Sequence, residues 1–429
     1  MKKIMILALI VTFIVSMLFI GTSCKQEEAQ AEEEVAEEEE EEVTVEPSGT
    51  VEIWSYVPED NPAFYPYIEE FNQSQDKITV VGKFIPFAEF KRQLTVAIAG
   101  GTTPDLVTVD NPDYAAYIAL GAFEVLDDRI AEWEWGQDDF YPGPWASATW
   151  EGKQYGIPFE TNTLVLFYNV DLFEAAGLDP DSPPTTWEEL TDYAEQLTKD
   201  GVFGLSISAV ASEEGTFQWL PFLNQNGGDI FNLDSPEAVE ALQLWVDWVE
   251  NGYVSEEVVT FDQWSGVRPQ FQNGQAAMMV NGPWCFVPMQ TEVPDLNWRV
   301  AVLPGRVEQS SAMGGLDIGI MKDAPNADAA WEYIKWLYSP ERVADFWHDF
   351  GTLPLIPAIA ESAPYWKGDP NIDVILEQMK YSAPRGPHPR WPEISEAIYT
   401  AIQEALTGVK TAEDALAGAA VKVEEIVAE

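Results

Sequence analysis

Stretches with period-two alternation of apolar and polar residues are interleaved with stretches whose apolar residues recur every three or four positions. The first pattern predicts half-buried strands and the second amphipathic helices. Residues 51–56 read as a strand. Asn61-Pro62 then opens a helix with an N-cap and a proline at its first position, and its apolar face carries Phe64, Tyr67, Ile68 and Phe71. Residues 78–84 are the next strand and 87–99 the next helix, closed by Gly100-Gly101. A buried strand over 106–109 ends at Asp110.

Further along, 156–168 is mostly extended. Thr186-Trp187-Glu188-Glu189 is a capping box opening a helix to about 198. Ser235-Pro236-Glu237 opens another, with Val239, Leu242, Trp245, Val246 and Val249 at helical spacing. A strand over 276–280 runs into the turn Asn281-Gly282-Pro283-Trp284 and a helix. The spacing predicts a strand over 316–321 and helices over 326–338, 340–350, 393–406 and 413–427. Strands alternating with helices predict α/β layers.

The N-terminus departs from this alternation. Lys2 and Lys3 precede an apolar run over residues 4–20, then Gly21, Thr22, Ser23 and Cys24. A basic start, an apolar middle and small residues form a secretory signal, although the run approaches the roughly 20 residues that a membrane span requires. The cysteine resembles the acylated residue of a bacterial lipobox, with Gly21 standing where that motif carries leucine. That resemblance implies a signal peptide over 1–23, lipidation at Cys24 and a protein held outside the cytoplasmic membrane. The glutamate-rich run over 27–48 is self-repelling and reads as an extended tether within 24–50.

Net charge is −51. The first 50 residues hold three lysines and twelve glutamates, a net −9, so the remainder keeps −42. Such a surface repels nucleic acid and anionic lipid, and salt would screen its self-repulsion. The roughly 380 remaining residues suffice for two domains. Cys285 is the only cysteine besides Cys24, so no disulfide framework is expected; it reads as a small core residue.

Catalytic and metal chemistry find little material. The only histidines, His348 and His388, lie outside metal-ligand spacing, and no phosphate-binding loop, nucleophile elbow or HExxH motif occurs. No cofactor or metal is expected. Seventeen tryptophans stand out instead. Those inside helices, such as Trp245, Trp331 and Trp336, read as core. Aromatics at element ends, including Trp54, Tyr56, Trp219, Trp264 and Trp284, are candidates for a binding surface, because aromatic faces suit the C–H faces of sugar rings.

Five stretches in order, VEIWSY at 51–56, AIAGGTTPDLV at 97–107, GAFEVLDD at 121–128, YGIPF with FYNVDLF at 155–159 and 167–173, and FQNGQAAMMVNGPW at 271–284, resemble the extracellular solute-binding proteins of ABC importers. The resemblance is to the group that includes maltose- and oligosaccharide-binding proteins, and covers the chain from about residue 51 onward. It implies a two-lobe periplasmic-binding-protein-like α/β fold of type II with the ligand between lobes. Residues 51–157 plus 312–353 are expected in lobe one, and 158–311 plus 354–429 in lobe two. It also implies a sugar-stacking role for Trp284, whose other reading is a core tryptophan. Asp110 and Asn111 would hydrogen-bond hydroxyls, Glu160 and Asn162 would lie near the first crossing, and Phe217 and Trp219 would supply a stacking aromatic. Trp264, Asp317 and Arg385 are further candidates, joined by Trp54 and Tyr56 at the end of the first strand, where open α/β sheets bind ligands. The implied protein is a non-catalytic, lipid-anchored, extracytoplasmic monomer that delivers a carbohydrate to a membrane permease. A polyamine ligand, and a secreted glycosidase with paired carboxylates, remain as alternatives.

Overall fold

A computed structural model describes residues 46–386 and 388–428. The signal segment, Cys24 and most of the acidic tether lie outside the described residues. Twelve strands occur among those described: β1 Gly49–Ser55, β2 Ile78–Phe84, β3 Leu106–Asp110, β4 Thr149–Trp150, β5 Lys153–Gln154, β6 Ile157–Thr163, β7 Val165–Asn169, β8 Phe203–Ser206, β9 Ala276–Asn281, β10 Trp298–Ala301, β11 Ser311–Ile320 and β12 Ser382–Pro384. Apart from the small β4–β5 hairpin they form two sheets. One has the order β12-β11-β3-β1-β2, with β6 also paired to β11; the other is β10-β7-β9-β8.

Each sheet supports its own core. Val51, Ile53, Leu106, Ile318 and Ile320 pack with Phe64, Phe71, Ile334 and Trp347 around the first sheet. Leu166, Leu205, Met278 and Val280 pack with Trp187, Trp219, Trp245 and the C-terminal helices around the second. The last helices, Trp391–Leu406 and Ala412–Ala428, thus belong to the second core, whereas Leu355, Ile359 and Trp366 join the first.

The predicted elements recur with shifted ends. The first helix starts at Phe64; Asn61 Oδ1 accepts from the backbone N–H groups of Ala63 and Phe64 at 2.9 Å each, so the asparagine serves the N-terminus from just outside. Thr186 caps Trp187–Leu197 by accepting from Glu189 N–H at 3.2 Å, while the Glu189 carboxylate reaches back to Thr185 rather than to Thr186. The single extended stretch expected over 156–168 is two strands, β6 and β7, in different sheets with Leu164 between them. That short passage is where the chain crosses from one sheet to the other. β11 begins at Ser311, five residues ahead of expectation, and all ten of its residues are buried. Cys285 is buried and its thiol pKa is pushed far up by burial, as suits a core residue.

Candidate functional site

Register in the first sheet builds one wall of a cleft. Leu316 of β11 pairs with Asp110 of β3 on one side and Glu160 of β6 on the other, and Gly314 pairs with Asn162. Directly opposed residues point to the same face of a sheet. Asp110, Glu160 and Asn162 therefore converge above a floor of Gly314, Gly315 and Leu316. Both glycines are required there. A Cβ on Gly314 would collide with Asn162 Oδ1, and Gly315, at φ 146°, lies against the Glu160 carbonyl.

The same alternation turns Asp317 away. It pairs with Val109 and Pro158, points to the opposite face and accepts from Ser147 Oγ at 2.8 and 3.0 Å. Burial raises its carboxyl pKa well above the ordinary range. The sequence expectation for Asp317 is therefore corrected in position.

The facing wall comes from the second sheet. β9 ends at Asn281, and the indole of Trp284 folds back over Gly282, where any side chain would clash with it. Asn281 Nδ2 donates to the Gln263 carbonyl at 3.1 Å, fixing a five-residue π-turn, Gln263–Val267, that presents Trp264. The Arg268 guanidinium covers one face of Trp264 at 3.9 Å from its ring centre and pairs with Glu292 at 3.1 Å. The helix Glu213–Gln225, capped by Ser212, adds Glu213, Glu214 and Phe217. Phe217 and Trp284 lie 6.4 Å apart between ring centres.

Together these walls enclose a cavity of about 380 Å³. Tyr56, Asp110, Glu160, Asn162, Phe217, Trp264, Trp284 and Arg385 line it, joined by Phe87, Glu213, Glu214 and Gln263, which the sequence reading did not single out. Three other candidates sit elsewhere. Trp54 packs in a separate apolar cluster with Phe90, Leu94 and Val107, beneath Lys83, whose ammonium is 3.9 Å from its ring centre. Trp219, two residues and about half a turn beyond Phe217, faces the second core and is fully buried. Asn111 lies behind the wall, accepting from Arg385 Nη2 at 3.4 Å.

Arg385 ties the walls together. Its guanidinium donates to Asp110 Oδ1 at 2.7 Å and Oδ2 at 3.1 Å, to Glu213 Oε1 at 2.8 Å and to the Met313 carbonyl at 3.3 Å. It also lies 4.3 Å from the Phe217 ring centre. Trp391 Nε1 donates to the other Glu213 oxygen at 3.1 Å. Every donor direction of this cation is thus engaged by the protein itself.

Three carboxylates of the cavity, Glu160, Glu213 and Glu214, hold protons more tightly than usual. Burial raises Glu160 to about 7, opposed by the hydrogen bond it accepts from Asn162 at 2.6 Å. Burial raises Glu214 to about 8, helped by the charge of Asp262. Glu213 rises to about 7 by burial although Arg385, shared with Asp110, pulls it down. In the unfolded chain these groups titrate near 4.3. Between that value and about 8 the folded state holds more protons than the unfolded state, so stability falls as pH rises through this window. The ligand-free protein is expected to melt several degrees lower at pH 8.5 than at pH 5.5, at constant ionic strength. Glu214→Gln should flatten that slope in scanning calorimetry.

Among the described residues no group of His, Cys, Asp or Glu is arranged to hold a metal ion. No helix among them is long and apolar enough to cross a membrane.

A family model described as bacterial extracellular solute-binding protein matches residues 54–344. A solute-binding protein of an ABC transporter from Thermotoga lettingae, solved with α-D-tagatose, superposes with a TM-score of 0.83 at 28% identity, covering 88% of this chain and 100% of that one. Maltose-bound MalE3 of T. maritima superposes with a TM-score of 0.82 at 27% identity, covering 88% and 99%. The sn-glycerol-3-phosphate-binding periplasmic protein of Pectobacterium atrosepticum is 25% identical over 383 residues, 81% of this chain and 84% of that protein.

Proposed function

The chain belongs to the bacterial extracellular solute-binding proteins, and from that premise we propose that it captures a carbohydrate between its two lobes and delivers it to the membrane permease of an ABC importer. Its family is one of binding proteins, not enzymes. The observation that carries the carbohydrate reading is a cavity in which Trp264, Trp284 and Phe217 supply apolar faces beside the acceptors Asp110, Glu160 and Asn162. Sugar rings present a C–H face and a rim of hydroxyls, and this lining matches both. The solved relatives with tagatose and maltose bound support the same reading.

A phosphate ester fits the lining poorly. The one cation of the cavity wall, Arg385, is already shared by two carboxylates, and a phosphate would have to displace them. Closure around a ligand bridging both walls shifts an open–closed equilibrium, because only the closed form touches it from both sides. A thermal-shift screen against mono- and oligosaccharides tests the reading: a saccharide that binds the folded state raises its melting temperature. Stabilisation by phosphate esters and by no saccharide would contradict it.

The same reading makes Cys24 the lipidated residue of a monomeric carrier, with the acidic run holding the folded part clear of the membrane. Cys24→Ser is expected to move the protein from the membrane fraction to the soluble fraction on cell fractionation. Retention with the membrane would rule out the lipid anchor.

A further inference from the structure

The charge of the cavity is not balanced. Asp60, Asp110, Glu160, Glu213, Glu214 and Glu292 line it, against Arg385 alone. Arg385 answers Asp110 and Glu213, and Arg268 answers Glu292 from behind Trp264. Glu160 and Glu214 have no cation within salt-bridge distance among the described residues. For Glu214 the one hydrogen bond seen there is from the Gln263 backbone N–H, at 3.4 Å.

Two further groups wait beside these carboxylates. Asn162 and Gln263 are 8% and 5% exposed, and both line the cavity. Asn162 Oδ1 and Gln263 Nε2 are buried and have no hydrogen-bond partner. Leaving a buried polar group unpaired is unfavourable, so a pair of such orphans facing one cavity points to a ligand that completes them. One is an acceptor next to Glu160; the other is a donor adjoining the Gln263–Glu214 contact.

A neutral sugar closing this cleft would offer hydroxyls to Glu160 and Glu214 but no countercharge. Taking an unpaired carboxylate out of water is strongly unfavourable, so the group must gain a cation or a proton. Indole faces favour the same answer, because Trp264 and Trp284 attract cations through their π-systems.

We infer that the solute is an amino sugar, its ammonium placed against Glu214 and Glu160 and its ring against Trp284 and Trp264. This rests on the carbohydrate reading above and narrows it to aminated members. Burial raises the proton affinity of both carboxyls, as befits acids taken from water with no ion pair of their own among the described residues. An ammonium would lower both and replace the missing countercharge. The orphan Asn162 carbonyl would accept from the ammonium or a hydroxyl, and the Gln263 amide would donate to a hydroxyl.

The experiment is calorimetric titration at pH 7 with glucosamine, galactosamine and mannosamine and their oligomers. The parent hexoses and their oligomers, the N-acetylated forms, the uronates and spermidine are titrated beside them. At least one aminated saccharide should bind ten-fold or more tightly than its parent, its N-acetyl form and its uronate. Glu214→Gln, with its fold checked by circular dichroism, should reduce the amine-to-parent affinity ratio at least ten-fold, and Glu160→Gln provides a second variant. If a neutral saccharide binds as tightly as its aminated counterpart, the amine inference fails and the carbohydrate reading stands. Binding of spermidine with no response to any saccharide would overturn the carbohydrate reading and this inference with it.

Discussion

Arg385→Met is expected to destabilise the protein by about 3–5 kcal/mol, the scale for removing one partner of a buried charge network. The side chain is 3% exposed and satisfies Asp110, Glu213 and the Met313 carbonyl together. Its loss would strand two carboxylates whose only local cation it was. The defect should be pH-dependent. Stranded carboxylates gain stability from protonation, so the variant should lie closer to the native protein at pH 5 than at pH 8. Arg385→Lys should rescue little, because one ammonium cannot reproduce a two-oxygen fork to Asp110 while also reaching Glu213. Urea unfolding at both pH values measures these differences. A loss below about 1 kcal/mol, the range of surface ion pairs, would mean that the network does not hold the walls together.

Trp284→Ala should weaken sugar binding by about 1–3 kcal/mol, the scale for losing an aromatic face and its burial. The affinity falls roughly 5- to 150-fold in consequence. Trp284 is the clearest case because its indole is pinned over Gly282 and lines the cavity while also packing against the second core. Trp284→Phe should keep part of the affinity. Unchanged affinity in a folded alanine variant would remove this residue from the site.

Much of this was legible in the sequence, and the residues show where legibility ended. Trp284, Asp110, Glu160, Asn162 and Arg385 stand at strand ends or beside the crossing, and the fold brings them to one cavity. Strand parity misled the reading at Asp317: whether an acidic residue faces the cleft or the far layer depends on register with β3 and β6, which no local pattern reveals. Trp219 failed for the helical counterpart of that reason, since two residues along a helix rotate a side chain by about half a turn.

Glu213 and Glu214 were missed because their helix was missed. Gly215 near its start and Pro221 within it suppress the propensity signal, though Ser212 followed by two glutamates was a legible N-terminus. Gly215 is there because a Cβ at that position would collide with the Val210 carbonyl, a constraint set by packing rather than by helix preference. β11 ran longer than expected because Ser311-Ala312-Met313-Gly314-Gly315 carries no alternation, yet its glycines form the cleft floor. The site therefore departs from local sequence rules at the positions where the ligand is expected.

The central claim, capture without turnover, is tested most directly by isothermal titration of the purified protein with the saccharide that stabilises it most. One-to-one saturable heat that ends once the sites are filled is the predicted result. Sustained heat flow corresponding to many saccharide molecules consumed per protein would contradict it and identify an enzyme.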